Sequence, residues 1–183
     1  MAKEKNMKFN NYDDSPRENP PEKTYPARLI GIYDIGKQPG FDEGDPAKAQ
    51  LVFTYELLGK EKTSEGKNFC VSEFLTVSLN AKATLVKRLQ TMKAPIKKKS
   101  DDWYTIPDNY SLSELLGDVC MVVVKHNTKG NAKVDSVIEP MEGLTIAEAT
   151  NELGYLDLDG DEDISQLEAA PEWIKKKVAA RIK

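Results

Sequence analysis

Hydrophobic and polar positions alternate in three segments of the first half of the chain, and a period of two predicts β-strands. The first segment covers residues 25–36, and the third runs from about residue 68 to residue 77. The second, residues 50–57, alternates most regularly and predicts a half-buried strand with Phe53 and Tyr55 in the core. Polar loops separate the three segments, so they suit antiparallel hairpins.

The period changes to that of a helix after the third strand. Ser78 suits an N-cap because its side-chain oxygen can accept from backbone donors two or three residues on. Over residues 80–92, apolar side chains recur at helical spacing, so one stripe faces the core and the other side faces water. The apolar stripe consists of Ala81, Leu85, Leu89 and Met92, and the solvent side of Lys82, Lys87, Arg88 and Gln90.

Two further strands are predicted after this helix. A long loop over residues 93–110 and a short helical turn over 111–116 lead to a β-branched run at 118–125. A turn separates that run from the alternating residues 131–138, and Pro140 closes the domain. Three strands, a helix and two strands form the order of a five-stranded OB-fold barrel, mainly β, with its helix between strands three and four. The alternative is an unrelated small β-sandwich or roll.

The two ends of the chain lack this patterning. Residues 1–24 are polar and contain three prolines, so we expect a disordered N-terminal arm. The OB domain is expected to cover residues 25–140, followed by an acidic linker or tail over 141–170. Residues 171–183 predict a short amphipathic helix, with Pro171 at its first position and cations in its last turn. Because so short a helix is marginal alone, it is expected to dock on its own domain, a partner or a neighbouring protomer.

The charge is distributed unevenly. The chain has 26 Lys and Arg against 30 Asp and Glu, a formal net charge of −4, which taken alone argues against a nucleic-acid partner. Residues 25–139, however, carry sixteen basic and fifteen acidic side chains. Residues 140–172 carry ten acidic side chains and no basic one, and residues 173–183 carry five basic ones. The middle of the chain is therefore about neutral, and its net charge does not exclude an anionic partner.

The cysteine count and the hydropathy pattern favour a cytoplasmic protein. Cys70 and Cys120 lie fifty residues apart and cannot form a disulfide framework, which is typical of a reducing compartment. No window approaches the roughly 18 apolar residues of a membrane span, and the charged start leads into no signal-peptide apolar stretch. We therefore expect no membrane association.

Catalytic, metal and nucleotide motifs find little support. His126 is the only histidine, and Cys120 lies six residues away along a strand, too far for a Cys-His pair. Two cysteines and one histidine fall short of the four ligands of a structural zinc site, and no phosphate-binding glycine motif occurs. We expect no enzymatic activity, no cofactor and no metal.

The acidic segment resembles a calcium loop only in part. Residues 157–168 place oxygen ligands at the spacing of an EF-hand, but Glu162 stands where that loop needs glycine. An acidic tail is the preferred interpretation: it would compete with an anionic ligand for a cationic groove or recruit protein partners. The residues assigned to this partner-binding or autoregulatory tail are Asp157, Asp159, Asp161, Glu162, Asp163 and, in the terminal helix, Trp173.

Four segments resemble a known family. They are YPARLIGIYDIG at 25–36, FLTVSLNAK at 74–82 followed by Leu85, LLGDVC at 115–120, and PEWI at 171–174. Their order and spacing, over roughly residues 24–140 and again near the end, are similar to bacteriophage single-stranded DNA-binding proteins with an OB fold. The resemblance implies a single OB domain that coats single-stranded DNA in phage DNA replication or recombination, in the host cell cytoplasm.

The chain departs from that family at one point. Its relatives often carry a tryptophan just after the helix, whereas here Met92, Lys93 and Ala94 follow and the tryptophan is Trp103. A stacking role for Trp103 is therefore not implied by the resemblance.

Binding of a single strand requires cations for the phosphates and aromatic faces on which bases stack. The segment 125–133 is the most suggestive source of cations, because it carries four cationic or titratable groups and no acid. Phe41 and Trp103 lie in polar loops with little local core, whereas Tyr33 shares a core-facing strand side and could emerge only at the strand end. Phe69 and Phe74 have opposite parity, so one of them faces the ligand unless a bulge intervenes, and the pattern does not decide which. The candidate DNA-binding residues are Arg28, Tyr33, Lys37, Phe41, Lys48, Phe69, Phe74, Trp103, Tyr104, Lys125, His126, Lys129 and Lys133.

The sequence thus predicts a protein that binds single-stranded DNA without sequence specificity, by phosphate neutralisation and base stacking. A chain ending near Glu139 is expected to bind DNA equally or more tightly. The alternative is a protein-interaction module that recruits a replication partner through its acidic tail and C-terminal helix.

Overall fold

The structure is a computed structural model that describes residues 18–158 and 164–182, and the statements below concern these ranges. Eight strands, three short α-helices and one 3₁₀ turn follow in chain order. They are β1 Lys23–Gln38, β2 Lys48–Leu57, β3 Cys70–Thr76, α1 Thr84–Thr91, β4 Lys97–Lys98, β5 Tyr104–Thr105, the 3₁₀ turn Leu112–Leu115, β6 Val119–His126, β7 Ala132–Ile138, β8 Gly154–Leu156, α2 Ile164–Ala169 and α3 Glu172–Ala179.

Six of the strands form one sheet in the order β3-β2-β1-β6-β7, with every neighbouring pair antiparallel. The sixth, β8, pairs with the middle of β1 in parallel. The edge strands β3 and β7 approach each other but do not pair within the described ranges, so the sheet is not closed. The prediction of a mainly β protein with a helix between the third and fourth long strands is confirmed at this level.

The first strand is longer than predicted and bends at two irregularities. Its register with β2 shifts between Leu29 and Gly31 and again between Asp34 and Gly36. Such bulges bend a strand and increase its twist. The first half of β1 therefore pairs with β6, while its later part, Gly31–Tyr33, is left for β8.

The main core lies between the inner face of the sheet and α1. Phe53 and Tyr55 are fully buried there, as predicted, and α1 contributes Leu85 and Leu89 from the expected apolar stripe. The expectation that Arg88 faces water is wrong. Its guanidinium is buried and pairs with Glu73, Nε to Oε1 at 2.7 Å and Nη2 to Oε2 at 3.0 Å. A forked pair of this kind satisfies a charge that burial would otherwise penalise.

A second core lies on the outer face of β1 and β2, where the sequence predicted solvent or a ligand. Apolar side chains from these two strands pack there against β8 and the two C-terminal helices. Its buried members are Tyr33, Ile35, Val52, Leu156, Ala170, Ile174 and Val178. The C-terminal helix, predicted over 171–183 and observed as α3, thus docks on its own sheet.

None of the helices in the described ranges is both long and apolar enough to cross a lipid bilayer.

Candidate nucleic-acid interface

The β6–β7 hairpin presents a group of exposed cations at one end of the sheet. Lys125 and Lys133 are direct register partners, so their side chains project from the same face of the hairpin. Lys129 lies in the turn, which Asn127 shapes by accepting from the backbone amides of Lys129 and Asn131 at 3.0 Å each. Within the described ranges, none of these three lysines makes an ion pair. We call Lys125, Lys129 and Lys133 the cationic hairpin.

The residues just before β1 hold the base of this hairpin. The Asn19 side chain accepts from the Ala132 amide at 3.0 Å and donates to the Gly130 carbonyl at 3.3 Å. The His126 ring lies 2.7 Å from the Pro20 carbonyl oxygen, and the His126 amide donates to Glu22 at 2.7 Å. This last bond holds the pKa of Glu22 below its ordinary value.

Two sequence expectations change at this contact. The arm was expected to be disordered through residue 24, but residues 18–22 contact the domain and β1 already begins at Lys23. The reason is that polar side chains such as Asn19 and Glu22 satisfy backbone groups of the hairpin, a contact that leaves no hydrophobic pattern. His126, a predicted DNA contact, has its ring engaged by the arm in this structure.

Arg28, another predicted DNA contact, is turned inward by the chain after β7. Its guanidinium donates to the carbonyl oxygens of Ala147 at 2.7 Å, Gly117 at 2.8 Å and Ile146 at 3.2 Å. It also pairs with Glu148 at 3.3 Å. Arg28 is thus used to fix residues 146–151, which we call the strap.

The strap has a second attachment at Glu56, which lies directly opposite Arg28 in the β1–β2 register. Glu56 is completely buried and accepts from the amide and hydroxyl of Thr150, at 2.7 and 2.8 Å, and from the amide of Asn151 at 2.9 Å. The Asn151 side chain also donates to it. Burial raises the pKa of Glu56, but these donors outweigh it and hold the pKa below the ordinary value. The strap therefore satisfies both members of an opposite-charge pair that face each other across the strands.

The predicted aromatic candidates divide into buried and exposed groups. Tyr33 and Phe69 are buried, the first in the outer core and the second in the main core, so neither presents a face to a base here. Burial also raises the pKa of the Tyr33 phenol. Phe41 is fully exposed in the β1–β2 loop, while Phe74 and Trp103 each expose about half of their surface. Of Phe69 and Phe74, Phe74 is therefore the exposed one.

Trp103 belongs to a small hairpin, β4–β5, in the segment predicted as a loop. Two backbone hydrogen bonds fix the hairpin beside the end of β3. The Tyr104 amide donates to the Leu79 carbonyl oxygen at 2.9 Å, and the Ala81 amide donates to the Asp102 carbonyl oxygen at 2.8 Å. The Tyr104 hydroxyl accepts from the Gln90 side chain at 3.1 Å. Tyr104 is half-buried. The exposed cations that precede Trp103, Lys97, Lys98 and Lys99, were not singled out by the sequence, although their run is visible in it.

Lys37, Phe41 and Lys48 lie far from the cationic hairpin. Lys37 and Lys48 are exposed and sit where β1 and β2 meet their connecting loop, whereas the start of β1 pairs with the end of β6. A strand rises about 3.3 Å per residue, so the length of β1 separates the two groups. The predicted cations therefore form two groups, one at each end of β1, and the strap, β8 and α3 cover the outer face between them.

Phe74 contacts the C-terminal helix at the edge of this covered face. Its ring meets the Trp173 ring in an edge-to-face arrangement, with centroids 6.2 Å apart and planes at 73°. The Lys177 ammonium lies 5.4 Å from the centroid of the Phe74 ring.

The predicted acidic-tail residues are described only at the margin. Asp157 donates its backbone amide to the Gln166 side chain at 3.3 Å. Asp159, Asp161, Glu162 and Asp163 lie outside the described residues, as do five of the twelve residues compared with a calcium loop. In the described ranges, no group of three or more His, Cys, Asp or Glu side chains is placed to hold a metal ion.

Compared with family models, with curated proteins and with solved structures, the chain matches none of them.

Proposed function

We propose that the protein binds single-stranded DNA without sequence specificity and performs no catalysis. The cationic hairpin neutralises phosphates, and exposed aromatics, Trp103 and Phe41 among them, provide faces for bases. The setting is phage DNA replication or recombination in the host cytoplasm, in keeping with the sequence resemblance.

One observation carries this proposal. Lys125 and Lys133 face each other across β6 and β7, and like charges in directly opposite positions destabilise a sheet. Neither forms an ion pair among the described residues, although Glu22 lies close enough to Lys125 for the two charges to attract. A phosphate backbone supplies further counter-charge, and a surface that holds cations in fixed positions without ion pairs favours such a ligand.

The strand order supports an OB fold as the finer description of the domain. In an OB barrel the order 3-2-1-4-5 closes when the third strand meets the fifth. Here β3, β2, β1, β6 and β7 follow that order, and β3 and β7 approach each other. We propose that the domain is an OB fold whose closing seam carries little strand pairing.

The test is a titration of fluorescently labelled oligo-dT, followed by anisotropy, at two salt concentrations. The double variant K125Q/K133Q should bind more weakly, and its dependence of log K on log salt should be shallower by about 1.4, since each neutralised phosphate of a single strand contributes roughly 0.7. The matched control is K82Q/K87Q, which removes two exposed lysines elsewhere. Failure of the natural protein to bind, or an equal effect of both pairs, would refute the proposal.

The alternative is a protein-interaction module that recruits a partner through its acidic tail and its C-terminal helix. Ile174 and Val178, its apolar side, are instead buried on β1 and β2 of the same chain. A partner would have to use the acidic tail or the polar side of α3, so the apolar side of the helix lends no support to that alternative.

A further inference from the structure

A half-exposed phenylalanine, a partly exposed tryptophan and an unpaired lysine meet where β3 contacts α3. Phe74 exposes 49% of its surface although it lies in a paired strand. Its register partner is Val52, so its side chain is on the outer face of the sheet, next to the outer core. In OB folds, this face of the second and third strands is a usual place for a ligand.

The lysine of this group has no acidic partner in the described ranges. On the same helix, Lys175 pairs with Glu172 at 2.9 Å, whereas Lys177 makes no ion pair and places its ammonium over the Phe74 ring. A cation within about 6 Å of an aromatic face is attracted to it, but only weakly where water has access. The Phe74 face under Lys177 is therefore occupied by a group that a stacked base could displace.

The helix turn that carries Lys177 is fixed rather than free. Gln38, a buried residue at the end of β1, donates its side-chain amide to the Lys177 carbonyl at 3.0 Å and to the Ile35 carbonyl at 2.7 Å. Beyond the helix, the Ile182 backbone amide donates to the Lys37 carbonyl oxygen at 2.8 Å. These bonds hold Lys177 and Trp173 in register with the sheet.

We propose that Phe74, Trp173 and Lys177 form a second single-stranded DNA contact, in which one base stacks on Phe74 beside the Trp173 edge. Lys177 leaves the ring and binds the adjacent phosphate. The exposed Lys37 and Lys48 lie at the end of β1 that is nearest to Lys177. They extend the contact along the DNA backbone. This inference rests on the proposed DNA binding and assigns α3 to the binding surface, not to a partner or a regulatory tail.

The first test uses fluorescence, because tryptophan emission is quenched when a base stacks against or beside the ring. A W103F background leaves Trp173 as the sole tryptophan of the chain. Saturating oligo-dT should quench its emission without shifting it to longer wavelength. An emission shift to longer wavelength would show that DNA displaces the helix, and unchanged emission would show that DNA does not approach it. Either result would overturn the proposal.

The second test compares affinities by oligo-dT anisotropy. F74L keeps an apolar side chain but removes the aromatic face, and should weaken binding by about 5- to 150-fold, the range of one stacked base, with the salt dependence unchanged. K177Q should weaken binding and reduce the salt slope by about 0.7. K175Q is the matched control, since it removes one charge from the same helix, and it should change neither quantity.

The outcomes separate this inference from the proposed function. If the natural protein fails to bind oligo-dT, the proposed function fails. If the natural protein binds, and F74L and K177Q bind oligo-dT as tightly as it does, only the second contact is refuted. Tighter binding by these variants would refute it too, because it would mean that α3 covers the DNA-binding surface and does not form part of it. Thermal unfolding of each variant, compared with the natural protein, shows whether a loss of binding reflects a loss of fold.

Discussion

The attachment of the strap to Glu56 can be tested by the substitution Glu56→Gln. Glu56 is fully buried on the outer face of β2, and all of its described hydrogen bonds come from Thr150 and Asn151. Glutamine has nearly the same shape but no charge and one acceptor oxygen fewer. The substitution therefore changes the hydrogen bonding of the strap without opening a cavity.

The size of the effect follows from how the donors are shared. Oε1 of Glu56 accepts from the Thr150 hydroxyl and from both nitrogens of Asn151, whereas Oε2 accepts from the Thr150 amide at 2.7 Å. The best glutamine orientation keeps its oxygen in the Oε1 position and turns its NH₂ group toward the Thr150 amide, so that two donors face each other. Loss of one bond to a charged group costs about 1.5–3 kcal/mol, and the others become weaker. We expect about 2–4 kcal/mol in total, a decrease in Tm of roughly 4–16 °C.

The effect also depends on pH, in a direction fixed by the pKa of Glu56. Burial raises this pKa, but the donors of Thr150 and Asn151 lower it more, so it lies below the ordinary 4.5 in the folded chain. The stability that the carboxylate contributes is fully present above the unfolded-state pKa and is lost as pH falls through the lower folded-state pKa. The glutamine variant does not titrate there, so its deficit should shrink as the solution becomes more acidic.

Thermal unfolding followed by circular dichroism, at neutral pH and through the acid range, measures both quantities. The matched control is Glu148→Gln, which removes a carboxylate of the same strap that is 90% exposed and pairs with Arg28 at 3.3 Å. An exposed ion pair contributes at most about 1 kcal/mol. If the free energy of unfolding of E56Q lies within about 0.5 kcal/mol of that of the natural chain, or is no lower than that of E148Q, the strap is not held by Glu56 and the reasoning is wrong.

Three further predictions concern other groups of the sheet and α1. Arg88→Ala leaves the buried Glu73 carboxylate without its forked partner and should cost about 3–5 kcal/mol in urea unfolding; Lys82→Ala, at an exposed position beside the same helix, should cost much less. Gly154→Ala would bring a Cβ atom 2.0 Å from the Tyr33 hydroxyl oxygen, so β8 should lose its hydrogen-exchange protection, and adding Tyr33→Ala should restore part of it. Cys70 is solvent-accessible, but desolvation of its thiol, and secondly the charge of Glu56, raises its pKa to about 11, so its alkylation near pH 8 should be slower than that of a free thiol, and faster in E56Q.

The parts of the fold that could be predicted are those in which burial follows a period. The alternation of Phe53 and Tyr55 in β2, and the spacing of Leu85 and Leu89 in α1, identify the main core because each element buries one side. The cationic hairpin was likewise predictable, because Lys125 and Lys133 flank a short turn between two strands. For these residues, the local sequence contains the information that decides their position.

The second core had a signal in the sequence that the prediction did not use. Val52 interrupts the polar side of β2, and it is completely buried. In β1, Ile30 is apolar on the side opposite Leu29, and it is buried too. Strands that are apolar on both sides are typical of a sheet covered on both faces. Val52 and Ile30 therefore already indicated that something packs outside β1 and β2.

The strap itself could not be predicted from periodicity. Arg28 and Glu56 have the polar character of solvent-facing positions, and the strap binds them through backbone carbonyls, backbone amides and short side chains. Backbone groups are present at every residue, so no pattern marks which carbonyls will meet Arg28. The same reason explains why the contact of Asn19 with Ala132 was missed.

The covered outer face changes how the acidic segment has to be tested. A chain that ends near Glu139 was expected to bind DNA equally or more tightly, on the assumption that the removed part is a free tail. Removal of residues 140–183 would instead expose Tyr33 and Val52, and would leave Glu56 without the donors of the strap. Loss of binding after truncation would then report damage to the fold as much as loss of a DNA contact. Neutral substitutions at Asp161, Glu162 and Asp163, which leave the strap and α3 unchanged, separate the effect of negative charge from that of packing. If these substitutions tighten binding while F74L weakens it, the acidic residues oppose DNA and the C-terminal helix contributes to holding it.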